Sequence, residues 1–246
     1  MAFSYKFFLM SLLLLPLANC ENNYLHSCAK NITDNADLQA RIMGVLYHLI
    51  KVTPAKGFTS SSFSSSGDDN TLYALAQCRG DANADLCSKC VKDAAKALLA
   101  NCSEQAQAYI WYDLCFLRYD TVNFLGNWMI DGAEIYQTNT VEAQNSSAFI
   151  PTVKEMVDNL KSRATMPGAN LFAKMVVSNI SSLEGVNIYG MTQCTRDMNK
   201  FTCIECLDHV EGLLSSDCRS ASGCKILYNS CYMRYETYDF FSTLSH

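Results

Sequence analysis

Residues 78–90 read CRGDANADLCSKC, and residues 194–206 read CTRDMNKFTCIEC. Both fit the frame C-x8-C-x2-C, and the second stands 116 residues after the first. Cys102 and Cys115 recur at the same displacement as Cys218 and Cys231. Five coincident cysteine offsets mean an internal duplication. The register also holds for Tyr73 with Tyr189, Gln77 with Gln193, Asp81 with Asp197, Tyr112 with Tyr228, Arg118 with Arg234, Tyr119 with Tyr235 and Phe124 with Phe240. Ahead of the repeated frame the register drifts, so the preceding loops differ in length.

Around each frame the periodicity predicts two helices and several strands. Leu38, Ile42, Val45, Leu46, Leu49 and Ile50 recur at helical spacing, with Pro54 as the expected stop. Phe149, Val153, Met156, Val157 and Leu160 take that part in the second repeat. After the paired cysteines, Val91, Ala94, Ala95, Leu98 and Leu99 form a second apolar stripe, matched by Leu207, Val210, Leu213 and Leu214. Residues 109–119 and 225–235 are rich in aromatic and branched side chains and read as strands. Helices and strands are segregated, so the expected class is α+β, two tandem domains. Ser60 to Asp69, dense in Ser, Gly and Asp, is expected to be a loop.

The N-terminus assigns the compartment. Lys6 precedes an apolar run from Phe7 to Leu17, too short to span a bilayer, and Ala18 and Cys20 suit a cut before Glu21. Residues 1–20 are therefore expected to be a signal peptide, with the first domain at 21–136, a polar linker at 137–146 and the second domain at 147–246. Removing Cys20 turns thirteen cysteines into an even twelve, as an oxidising compartment requires. No later apolar run approaches the length of a membrane span, so a released product is expected. The mature chain carries 18 basic against 24 acidic residues, with no basic cluster, which excludes phosphate-backbone binding as an expectation.

Six cysteines per domain allow fifteen pairings, and spacing does not choose among them. Five are common to both repeats, so one of the common five needs an outside partner: Cys28 in the first, Cys224 in the second. The simplest expectation is that both odd cysteines bond the same common position. The frames at Cys78, Cys87, Cys90 and at Cys194, Cys203, Cys206 resemble the plant ginkbilobin-type, or stress-antifungal, domain. Two such domains behind a signal peptide are similar to the plant cysteine-rich repeat secretory proteins.

That resemblance implies two helices packed on an antiparallel sheet of about five strands in each domain. It implies the pairs Cys28–Cys102, Cys78–Cys87 and Cys90–Cys115, then Cys194–Cys203, Cys206–Cys231 and Cys218–Cys224. It also implies carbohydrate binding: mannose is held by an Asn directly after the first Cys, an Arg six residues before the last Cys and a Glu five after it. The first domain offers Ala29, Tyr109 and Asp120 there, the second Lys225 and Glu236 with no first-Cys counterpart. Lys225 and Glu236 are the candidate sugar residues, although a lysine lacks the planar fork of arginine.

Other chemistry is weaker in the sequence. C-x2-C can ligate zinc or run redox exchange, but an even cysteine count, no nearby paired His and no thioredoxin-like βαβ setting favour disulfides. His26, His48, His209 and His246 sit in no hydrolase or metalloprotease frame, so no enzyme, cofactor or metal is expected. Asn31, Asn101, Asn145 and Asn179 open glycosylation sequons. The expected function is that of a secreted, apoplastic, non-enzymatic binding protein in defence or stress. Its partner would be an extracellular glycan or a cell-surface protein. Thiol titration of the secreted, denatured, unreduced chain should find no free cysteine; two or more reactive thiols, or bound zinc, would overturn the disulfide reading.

Overall fold

The computed structural model describes residues 24–32, 35–64, 71–128, 135–183, 185–218 and 220–242. The expected signal peptide, residues 1–20, lies outside them. The first domain runs β1 (Leu25–Asn31), α1 (Ala36–Lys56), β2 (Phe58–Phe63), β3 (Leu72–Cys78), α2 (Ala84–Cys102), β4 (Gln105–Trp111) and β5 (Cys115–Asp120). The second runs β6 (Ile135–Thr138), α3 (Ser146–Ala164), β7 (Phe172–Val177), β8 (Ile188–Cys194), α4 (Lys200–Leu213), a π-helical turn (Leu214–Cys218), β9 (Cys224–Leu227) and β10 (Cys231–Glu236). Each domain is one five-stranded antiparallel sheet, ordered β1-β4-β5-β3-β2 and β6-β9-β10-β8-β7.

Local chemistry sets the helix ends. Asn35 caps α1 by accepting from the Leu38 N–H at 2.9 Å, and Asn83 and Asn199 cap α2 and α4 in the same way. Pro54 does not stop α1. In the last turn proline forfeits one hydrogen bond only, and the helix ends at Gly57, whose left-handed φ of 70° lets its N–H return to the Thr53 carbonyl.

Two other expectations are corrected. Ser60 to Phe63, read as loop, form most of edge strand β2, with Ser60, Ser61 and Ser62 opposite Leu75, Ala74 and Tyr73. Edge strands tolerate serine because one side of their ladder faces water. The expected boundary after Tyr136 falls inside a strand: Gln137 and Thr138, assigned to the linker, pair with Lys225 and Cys224. Four residues with little alternation leave no periodic signal.

Strand alternation sends side chains to two buried layers. Leu72, Ala74, Ala76, Leu117 and Tyr119 face α1 and α2, while Ile188, Ile226, Met233 and Tyr235 face α3 and α4. The opposite faces meet each other. Leu75, Tyr109, Trp111 and Phe116 of the first sheet pack on Met191, Leu227 and Tyr232 of the second. Trp111 stacks on Phe116 with centroids 4.1 Å apart and meets Tyr232 edge-on at 5.5 Å. Sheets covered on both sides explain why β3, β5, β8 and β10 are buried along nearly their whole length rather than at alternate residues.

Polar groups trapped in this junction are satisfied reciprocally. Gln77 Nε2 donates to the Cys194 carbonyl at 2.8 Å, and its Oε1 accepts from the Arg196 N–H at 2.8 Å. Gln193 Nε2 donates to the Cys78 carbonyl at 3.0 Å, and its Oε1 accepts from the Gly80 N–H at 3.1 Å. The segments after β5 and β10 cross over likewise: Gly126 N–H donates to Asp197 Oδ2 and Ser242 N–H to Asp81 Oδ2, both at 2.8 Å. Arg118 lies over the Phe124 ring as Arg234 lies over that of Phe240.

Six disulfides staple the domains: Cys28–Cys102, Cys78–Cys87, Cys90–Cys115, Cys194–Cys203, Cys206–Cys231 and Cys218–Cys224. Both odd cysteines bond the same repeat position, Cys102 and Cys218.

Replacing Gln193 by Ala strips the buried Cys78 carbonyl, and the half-buried Gly80 N–H, of their partner. The orphaned carbonyl costs about 1–3 kcal/mol, so Gln193→Ala should lower the denaturant midpoint clearly. A midpoint equal to that of the parent would mean water replaces the side chain.

Candidate functional site

The candidate sugar residues lie where the second sheet meets the first domain. Lys225 of β9 stands opposite Arg234 of β10, and Glu236 follows two residues on, so all three point from one face of the sheet. Glu236 is 5% exposed. Its Oε1 accepts from Arg234 Nε at 3.0 Å and its Oε2 from Asn139 Nδ2 at 3.0 Å. A Cβ at Gly223 would press on Glu236 Oε2 and Asn139 Nδ2, so a larger residue there would push this pair aside.

Asp113, on the turn between β4 and β5, closes the cluster from the first domain. Its carboxylate receives Arg234 Nη1 at 2.9 Å, Arg79 Nη1 at 3.0 Å and Lys225 Nζ at 3.6 Å. Arg79 is also held by Asp81, Nε to Oδ1 at 2.7 Å, and donates to the Phe240 carbonyl and Ser242 Oγ. Burial depresses the pKa of Lys225, and Asp113 restores it only in part. Burial also acts against Arg79, but its hydrogen bond to Asp81 and the nearby acidic groups outweigh it and raise the pKa.

The structure therefore brings Glu236 and Lys225 to one face but does not join them; Arg234 and Asp113 stand between. It also adds a residue that sequence reading missed. In the first domain Ser27 pairs with Tyr109 and Ala29 with Gln107. In the second, Gln137 pairs with Lys225, and the Asn139 N–H donates to the Gly223 carbonyl at 2.9 Å. Thr138 thus occupies the place of Cys28, and Asn139 the place directly after it. Without a first cysteine there was no residue to count from; the available signal was that Cys224 had taken over its bonding role.

The matching positions of the first domain hold other chemistry. Tyr109 lies in the apolar junction. Asp120 accepts from Lys30 Nζ at 2.7 Å and from the Val122 N–H at 3.0 Å. Ala29 offers no polar group. His48 meets Phe63 edge-on, a packing role. Among the described residues, His26, Cys28 and Cys102 are close enough to share a metal ion, but the two sulfurs are bonded to each other and are not the thiolates zinc takes. The sequon residues Asn31, Asn101, Asn145 and Asn179 are all exposed; Asn145 sits at the start of α3 rather than in a linker. Among the described residues no helix is long and apolar enough to cross a membrane.

Two five-stranded α+β units, each stapled by three disulfides and packed sheet on sheet, define a tandem extracellular-type module. The chain belongs to the salt stress response/antifungal family, whose model matches residues 19–122 and 136–238. It is 34% identical over 215 residues to cysteine-rich repeat secretory protein 55 of Arabidopsis thaliana, covering 87% of this chain and 81% of that one. It is 34% identical over 245 residues to an antimicrobial ginkbilobin-2-like protein of Castanea crenata, covering 96% and 98%. Among solved structures, the tandem DUF26 ectodomain of the Arabidopsis thaliana cysteine-rich receptor-like protein PDLP8 superposes with a TM-score of 0.75 at 22% identity, over 87% of this chain and 98% of that one.

Charge burial makes opposite predictions for two neighbours. Arg234→Met would leave Glu236 buried without its cation, a change that costs roughly 3–5 kcal/mol. Lys225→Met removes a charge that burial disfavours and leaves Asp113 both arginines, so its melting temperature should match or exceed the parent's. A melting curve in which Lys225→Met is the more damaging would reverse the assignment of which cation neutralises the cluster.

Proposed function

We infer that the protein works in the plant apoplast as a non-enzymatic binding protein in defence or stress responses, with a protein as its main partner. The observation that carries this is the state of the junction cluster. Asp113 is held by Arg79, Lys225 and Arg234, and Glu236 by Arg234 and Asn139. Proton transfer needs an acid or base facing a substrate cleft, and here the carboxylates are bound to their own cations. The same pairing covers the sugar positions with the first domain. The antimicrobial and secretory names of the relatives, and the receptor ectodomain among the fold neighbours, support an extracellular recognition role.

A second reading, mannoside binding, is favoured by Asn139. With Glu236, and with Lys225 where the implied set has Arg, it gives the second domain a residue at each of the three positions. Calorimetric titration of mannose-type oligosaccharides into the secreted full chain separates the two. The first reading expects no saturable heat. Saturable binding whose affinity Glu236→Gln lowers about tenfold, the scale of one lost charge-assisted hydrogen bond, would replace it with the lectin reading.

A further inference from the structure

The helix pairs of the two domains diverge on their outer side. The buried positions of α1 and α3 correspond at a constant displacement, Leu38 with Phe149 and Ile42 with Val153. On that register Ile50, packed on the first core, is answered by Lys161. On the neighbouring helix, at the repeat displacement, buried Ala95 of α2 is answered by Glu211 of α4, and Lys96 by Gly212. An apolar position on each helix has become ionic: Lys161 Nζ bonds Glu211 and, at 3.0 Å, Asp208.

Between α3 and α4 lies a groove of about 470 Å³, within the size range of small-molecule sites. Its floor is formed by the edges of the buried Phe149, Val153 and Tyr235, and Ile150 and Leu214 complete the apolar lining. Asp208 and Glu211 stand on its rim. Lys161 engages one oxygen of each, and each carboxylate keeps a second oxygen as acceptor. Gly212 also lines the groove. It sits inside α4, where glycine is a poor helix former. A Cβ there would meet nothing within 4 Å, and the residue has no left-handed φ. Neither packing nor backbone geometry calls for glycine; its effect is to keep the wall of the groove open.

We propose that this groove binds a small hydroxylated aromatic molecule, a phenol, with its ring against Ile150 and Leu214 above the buried floor and its hydroxyl donating to Asp208 or Glu211. A rigid ring covers such an apolar lining with little conformational entropy to lose. Two adjacent carboxylates accept from a hydroxyl, and Lys154 lines the same groove. A helix pair clamped by Lys161 holds the groove open before the ligand arrives.

The test is 2-naphthol titrated into the secreted full chain and followed by its own fluorescence. One equivalent should saturate. Gly212→Trp, whose side chain enters open space, should weaken binding about tenfold or more while the melting temperature stays level or rises. Naphthalene, which lacks the hydroxyl, should bind several-fold more weakly than naphthol. Absence of saturation, naphthalene binding equal to naphthol, or unchanged binding by Gly212→Trp would each overturn the proposal. Should the Trp variant melt lower than the parent, Gly212→Leu repeats the comparison, and unchanged binding by that variant overturns the proposal equally. A dimer in sedimentation that the Trp variant abolishes would give the groove to a second copy of the chain and overturn it as well.

Discussion

Gln77 and Gln193 hold the two halves of this molecule in one arrangement. Each amide crosses the junction to a carbonyl and an N–H of the opposite repeat, at the chain position where its counterpart does the same. A buried amide group left unpaired costs more than a satisfied one contributes, so only one placement of sheet on sheet avoids that cost. The crossed arms, Gly126 to Asp197 and Ser242 to Asp81, repeat the symmetry at the rim. The junction is in effect an isologous dimer interface written into a single chain.

Symmetry is broken where the chemistry lies. Arg79, Asp113, Lys225 and Glu236 stand opposite Thr195, Asn229, Tyr109 and Asp120 under the repeat displacement. One side of the junction is therefore an ion cluster, and the other carries the neutral Thr195, Asn229 and Tyr109 in place of Arg79, Asp113 and Lys225. A single methylene matters: Glu236 reaches Arg234 Nε at 3.0 Å, whereas the shorter Asp120 comes only to 3.7 Å of Arg118 and turns to Lys30. The ion cluster joins the domains across their boundary, which is why the residues of the second-domain sugar position are bound to first-domain groups.

The disulfides diverge for a related reason. Cys28–Cys102 ties edge strand β1 to the end of α2 across 74 residues, while Cys218–Cys224 closes a loop of 6 and leaves β6 held by its ladder with β9. The end of α4 is thus fastened locally, next to the π-helical turn, instead of to the sheet edge. In the same region the apolar positions of Ile50 and Ala95 gave way to Lys161 and Glu211, Asp208 joins them, and a groove remains between the helices.

The cysteine frame, the 116-residue displacement and the helical stripes were enough to establish two α+β domains, because covalent spacing and periodicity are properties of the chain itself. The family resemblance that the cysteine frame carries also brought Lys225 and Glu236 forward, at fixed distances from Cys231. Asn139 was hidden, because its position is defined by pairing across β6 and β9 and not by any neighbour in sequence. The strand character of Ser60 to Phe63 and the end of α1 at Gly57 rather than Pro54 depended on a partner strand and on a backbone dihedral. Above all, sequence could not say which face of each sheet was buried twice. That depended on the two repeats meeting, and only their contact turned Gln77, Gln193, Asp113 and Arg234 from scattered polar residues into the groups that hold the domains together.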